Sequence, residues 1–92
     1  MLAWFNKAYT LEMMGRMEGS LAAFDKVLGL DPGDASAMYC RARLLALLGR
    51  SDEALEQLKK VLELNPDSRG EAKEDVAFDK LRGDERFTKL VG

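Results

Sequence analysis

The sequence predicts an all-α chain built from two stacked helix–turn–helix pairs and closed by a short helical segment. Three observations predict it. The chain repeats itself at an offset of 34 residues: GRMEGSLAAFDKVLGLDP from Gly15 to Pro32 returns as GRSDEALEQLKKVLELNP from Gly49 to Pro66. Apolar residues recur in steps of three and four, which is the helical period. Glycine and proline recur at equivalent places in both copies and punctuate the helices. A fixed period of about 20–50 residues marks a repeat architecture. Eleven positions of the first 34 residues match the next 34 without a gap: Ala3/Ala37, Ala8/Ala42, Leu11/Leu45, Gly15/Gly49, Arg16/Arg50, Leu21/Leu55, Lys26/Lys60, Val27/Val61, Leu28/Leu62, Leu30/Leu64 and Pro32/Pro66.

The first helix is expected over Met1 to Met14, with Leu2 or Ala3, Trp4, Ala8, Leu11 and Met14 on its apolar stripe. Gly15 stops it, since glycine accepts the left-handed conformation of a helix C-terminus. The second is expected from Glu18 to Leu30, with Leu21, Phe24 and Val27 or Leu28 turned inward. Asp31-Pro32 ends it, because proline disfavours helical geometry in the residue before it. Asp34 is placed to cap a third helix from Ala35 to Leu48, carrying Met38, Ala42, Leu45 and Leu48. Gly49 closes that helix, and Ser51 is expected to cap a fourth from Asp52 to Leu64. Asp52 and Glu53 favour its N-terminal dipole. Ala54, Leu55, Leu58, Val61 and Leu62 form its buried side. Third-copy positions then call for an apolar residue at Ala72 and a small one at Val76, after which the repeat decays. Two short helices are expected there, Val76 to Arg82 and Asp84 to Leu90, hinged at Gly83.

Composition narrows the chemistry. Apolar residues make up 47% and charged residues 33%, the balance of a globular chain. A net charge of −2 offers no footprint for nucleic acid and no basic face for an anionic membrane. The absence of histidine removes imidazole acid–base chemistry and histidine metal ligation. The single cysteine, Cys40, supports neither an internal disulfide nor a thiolate zinc site. No cofactor or metal is implied. The first residues do not read as a signal peptide and no apolar run reaches the ~18 residues of a membrane span, so a reducing, cytoplasmic setting is expected.

A 34-residue helix–turn–helix unit closed by proline resembles the tetratricopeptide repeat. Trp4, Ala8, Leu11, Gly15, Ser20, Phe24, Val27 and Pro32 carry the likeness in the first copy. Met38, Ala42, Leu45, Gly49, Ala54, Leu58, Val61 and Pro66 carry it in the second. Lys7 and Arg41 depart from it, standing where leucine is usual, and Leu11 and Leu45 stand where an aromatic is usual. The resemblance covers Met1 to Ser68 and implies a short right-handed α-solenoid, with repeats at 1–34 and 35–68. Residues 69–92 would cap it within the same structural domain. Asp75, Phe78, Leu81, Asp84, Arg86, Phe87 and Leu90 resemble the segment that often closes bacterial and archaeal arrays of this family. Two units fall short of the roughly three usually needed for stability. The tail is therefore expected to dock on the Leu55/Leu58/Leu62 side of the fourth helix.

The resemblance also implies where a partner would lie. In the family, the first helix of each pair lines a concave groove. The corresponding positions are Leu2, Phe5, Asn6, Tyr9, Glu12 and Met13, then Ser36, Tyr39, Cys40, Arg43, Ala46 and Leu47. Phe5, Tyr9 and Tyr39 beside Asn6 and Arg43 would suit a peptide or a partner helix, since tyrosine and arginine are enriched at binding hot spots. With equal weight, Phe5 and Tyr9 would pack under an upstream repeat. A subgroup of the family grips a peptide carboxylate with lysine, asparagine and arginine. The matching positions here, Phe5, Tyr9, Cys40, Gly70 and Glu74, do not fit that role. Cys40 reads as a small half-buried residue more readily than as a reactive thiol.

The leading expectation is a non-enzymatic module that binds a protein or peptide, with no nucleic-acid or membrane partner. The alternative is structural: a homo-oligomer formed through the first helix, or the C-terminal end of a longer array. Catalysis would need a nucleophile–base pair or metal site, and the sequence offers neither.

Overall fold

The two copies of the 34-residue unit fold into the same hairpin, and the backbone angles repeat with them. The computed structural model describes residues 2–92, with side chains from Asn6 onward. Expectations placed on Met1, and on the side chains of Leu2, Ala3, Trp4 and Phe5, lie outside the described residues. Helices α1 (Leu2–Met13) and α2 (Met17–Leu30) form the first pair, and α3 (Ala35–Leu47) and α4 (Ser51–Leu64) the second. The tail follows as α5 (Ser68–Glu74), a 3-10 helix (Val76–Leu81) and α6 (Glu85–Val91). The described residues contain no strand.

Each hairpin turn is a glycine in the left-handed region, with φ 78° at Gly15 and 82° at Gly49. Around the first, Gly15 N–H bonds to the Glu12 carbonyl at 3.0 Å and Arg16 N–H to that of Leu11 at 2.8 Å. Around the second, Gly49 reaches Ala46 at 3.1 Å and Arg50 reaches Leu45 at 2.8 Å. This paired pattern satisfies carbonyls that a helix end leaves open. A side chain at either glycine would meet no heavy atom within 4 Å. Gly15→Ala and Gly49→Ala are therefore each expected to cost about 1–2 kcal/mol, from backbone strain alone. Urea denaturation of the single and double variants checks this, and the two costs should add.

The same turn corrects one expectation. Ser51 does not cap α4 but is its first residue. Arg50 holds the cap position, with no side-chain cap bond. The glycine turn draws Arg50 back onto α3, which leaves no residue between the turn and the helix for a serine cap. Asp34 does cap α3, accepting from Ala37 N–H at 3.1 Å. The hairpin exits also repeat, with Asp31 at φ −141°, ψ 85° and Asn65 at φ −143°, ψ 84°.

Small residues let the paired helices approach. Ala8 and Ser20 are fully buried where α1 meets α2, and Ala42 and Ala54 are their counterparts between α3 and α4. The Ser20 hydroxyl donates to the Ala8 carbonyl at 2.6 Å, which satisfies its buried oxygen. Phe24, Val27, Leu45, Leu58 and Val61 fill the interior. Arg41, which departs from the usual leucine, ties α3 to both flanking helices. Its Nε donates to Asp25 at 2.6 Å and its terminal nitrogen to Gln57 at 2.8 Å.

The tail differs from expectation in two ways. A helix over Ser68–Glu74 precedes the expected pair, and the first of that pair is a 3-10 turn. Ala72 is buried, as a third copy requires, but Val76 stands exposed rather than at a small interior position. The cause is Asp75, whose extended backbone (φ −75°, ψ 118°) breaks α5 and ends the repeat register. The docking is also wider than expected. α5 and α6 lie against α4, while the 3-10 helix lies chiefly against α3. Phe78, Leu81, Phe87 and Val91 join the common core.

Candidate functional site

The face shared by α1 and α3 carries the residues singled out from the sequence, and the structure divides them into three groups. One group is taken up by the tail. The Tyr39 hydroxyl donates to Asp75 Oδ2 at 2.9 Å, and Arg43 Nε donates to the same oxygen at 2.8 Å. A terminal nitrogen of Arg43 also donates to Glu12 Oε1 at 3.1 Å. Glu12, Arg43 and Asp75 thus form a carboxylate–guanidinium–carboxylate row crossing from α1 over α3 to the tail. The other Asp75 oxygen accepts from Ala77 N–H at 2.9 Å and starts the 3-10 helix. The Tyr39 ring meets Phe78 edge-on, with centroids 5.9 Å apart and planes at 84°. Phe78 in turn lies 5.8 Å from Phe87.

These contacts set the ionisation. Burial pushes the Tyr39 phenol up, and its hydrogen bond to Asp75 adds to this. Burial opposes the charge on Arg43, but Asp75 and Glu12 outweigh it and the guanidinium is held more firmly cationic.

The second group lines a cleft of about 240 Å³. Ser36, Tyr39 and Cys40 of α3 form one wall, with Ala35, and Asn65, Ser68 and Glu71 complete it. Burial, then the Glu12 carboxylate, pushes the Cys40 thiol up to about 11. Thiolate is the reactive form, so Cys40 is a poor nucleophile near neutrality. Iodoacetamide at pH 8 is expected to alkylate it roughly 100-fold more slowly than an unfolded control, as a raised pKa lowers the thiolate fraction. A rate equal to the control would contradict the raised value. The protonated thiol favours the folded state below the unfolded pKa, so that stabilisation fades as pH rises through about 9–11.

The third group is open to solvent. Tyr9 is 52% exposed, Met13 73% and Leu47 38%. Met13 and Leu47 occupy equivalent positions in the two copies, and Asn6 is exposed one turn before Tyr9 on α1. The Glu12–Arg43 pair fixes the level at which α1 and α3 meet, with Met13 next to Glu12 and Leu47 one turn beyond Arg43. Ala46 is buried, and Phe5 lies outside the described side chains.

Asp75 was legible only as an acidic helix start, and its bonds to Tyr39 and Arg43 were missed. Glu71, Asn65 and Ser68 carried no signal for the cleft. Asp84 and Arg86 pair in the tail, and Arg86 reaches Asp52 at 2.8 Å, all at the surface. Among the described residues no cluster of metal-ligating side chains could hold an ion. No helix among them is long and apolar enough to cross a membrane.

A family model for the tetratricopeptide repeat matches residues 11–74. No curated protein matches the chain.

Proposed function

Because this chain belongs to the tetratricopeptide repeat family, whose repeats generally mediate protein–protein interaction, we propose that it binds a protein partner on the face shared by α1 and α3. The observation that carries the reading is the exposure of Tyr9, Met13 and Leu47 on that face, while the small residues at the helix crossings are sealed. Aromatic and methionine side chains are enriched at interface cores. The family is typically non-enzymatic, and the protonated Cys40 thiol gives no reason to read this member otherwise. Tyr39 and Arg43 belong to the reading as supports, since both are committed to Asp75. Asn6 and Glu12 lie on α1 with Tyr9 and Met13, and Ser36 and Cys40 lie on α3 with Leu47.

Photo-cross-linking tests this. A benzophenone side chain at Tyr9 or Leu47 is expected to give adducts with a partner in lysate, and one at Lys26 on α2 is not. Adducts from Lys26 alone would move the interface to the opposite face.

A second reading rests on the concentration of exposed apolar groups at the C-terminal end of α1: Tyr9, Met13 and, in the turn that follows, Met14. Self-association through α1 would cover them. Sedimentation across a concentration series separates the two readings, and a strict monomer removes the second.

A further inference from the structure

The α1/α3 face is electrically lopsided. The carboxylates of Glu12, Asp34, Glu71 and Asp75 bear on Tyr39 or Cys40, and the Arg43 guanidinium opposes them. Arg43 is already shared between Glu12 and Asp75. Glu71 lines the cleft and is exposed, and its carboxylate forms no ion pair among the described residues. Asn65, Ser36 and Ser68 add oxygen acceptors to the cleft wall. Burial of an acidic side chain there would leave both charges unpaired, whereas a cation would find an unused carboxylate.

Geometry adds a spacing. Ser36, Cys40, Arg43 and Leu47 fall in steps of four, three and four, so they share one stripe of α3. Seven residues separate Cys40 from Leu47, about 10 Å along the helix. An extended chain covers that distance in about three residues. The polar cleft lies at one end of the stripe and the apolar Leu47 and Met13 at the other.

Resting on the reading of this face as the partner site, we propose that its occupant is an extended basic segment of a partner protein. A lysine or arginine enters the cleft between α3 and α5 and meets Glu71. An apolar side chain about three residues away covers Leu47 and Met13. Charge complementarity selects the partner and sets its direction along the groove.

The test is selection of a phage-displayed random dodecapeptide library on the full chain and on Glu71→Lys. Glu71 is exposed and outside the core, so this variant keeps the fold. The expected result is enrichment of lysine or arginine about three positions from an apolar residue. The basic preference should vanish on Glu71→Lys. The top peptide, made synthetically, should lose at least tenfold in affinity for that variant, and less for Glu71→Gln. Apolar sequences without a basic preference, acidic sequences, or basic sequences held equally by Glu71→Lys would overturn the proposal and leave the face as a partner site. Sequences resembling the chain's own Asp75–Phe78 would instead place a second copy there. Recovery of no sequence, or of sequences held equally by Tyr9→Ala/Leu47→Ala, would overturn both the proposal and the reading beneath it.

Discussion

A chain ending at Ser68 is expected to lose its cooperative thermal transition. The cut removes α5, the 3-10 helix and α6, and with them Phe78, Leu81, Phe87 and Val91, all buried. Each large buried side chain contributes about 1.5–3 kcal/mol, so the four together contribute roughly 6–12 kcal/mol as an upper estimate. A domain of this kind has only about 5–15 kcal/mol in total. The two hairpins alone also fall below the roughly three repeats that usually sustain a stack. The point version is Phe78→Ala, expected to cost about 3–5 kcal/mol. Phe78 is fully buried and stands between Tyr39 and Phe87, so its loss opens a cavity between α3 and the tail. Circular dichroism melts and urea titrations read both. If the chain cut at Ser68 melts where the full chain does, the tail is not part of the core.

Replacing Asp75 by alanine should be the most damaging single change at a surface-touching residue, at about 2–4 kcal/mol. Its carboxylate does three things that the sequence gives no reason to join. It caps the 3-10 helix, a role worth about 1 kcal/mol. It accepts from the Tyr39 hydroxyl, and leaving such a buried group unpaired costs about 1–3 kcal/mol. It also holds Arg43, which would be left with Glu12 alone. Asp75→Asn keeps the capping oxygen and loses the charge, so it should cost less. Asp79→Ala is the control, since its bond to Arg82 is exposed and such pairs are worth about 0–1 kcal/mol. Equal urea midpoints for Asp75→Ala and Asp79→Ala would refute the assigned role.

The helices of the two repeats were legible because their signals repeat. Gly15 and Gly49, Pro32 and Pro66, and the apolar steps between them say the same thing twice, and local physics confirms each. The helix Ser68–Glu74 was not legible. It has seven residues, contains Gly70 and, in the described structure, buries only Ser68 and Ala72. No apolar stripe exists to be read in it. Ala72 was the one trace, found through its register with Met38. The fastening of Tyr39 and Arg43 was hidden for a different reason. Their partner lies 36 and 32 residues away, and the positions equivalent to Asp75 in the earlier copies are Arg41 and Lys7. A period cannot reveal a contact that occurs once. For the candidate site, the family resemblance pointed to the first helix of each pair, but only packing distinguishes side chains already engaged, such as Tyr39, from those still open, such as Tyr9.

The exits at Asp31 and Asn65 begin alike and end differently. Asp34 is extended at φ −73°, ψ 97° and caps α3, whereas its counterpart Ser68 is already the first residue of α5, entered through a helical Asp67 at φ −64°, ψ −21°. A joint repeated in full would leave a stack open-ended, each new helix offering an uncovered flank to another like it. The extended residue at Asp75 is a second departure from the repeat. It folds the chain back over α3 and α4 instead of forward. That reversal turns on the backbone of one residue, and the carboxylate it carries fastens the reversal in place.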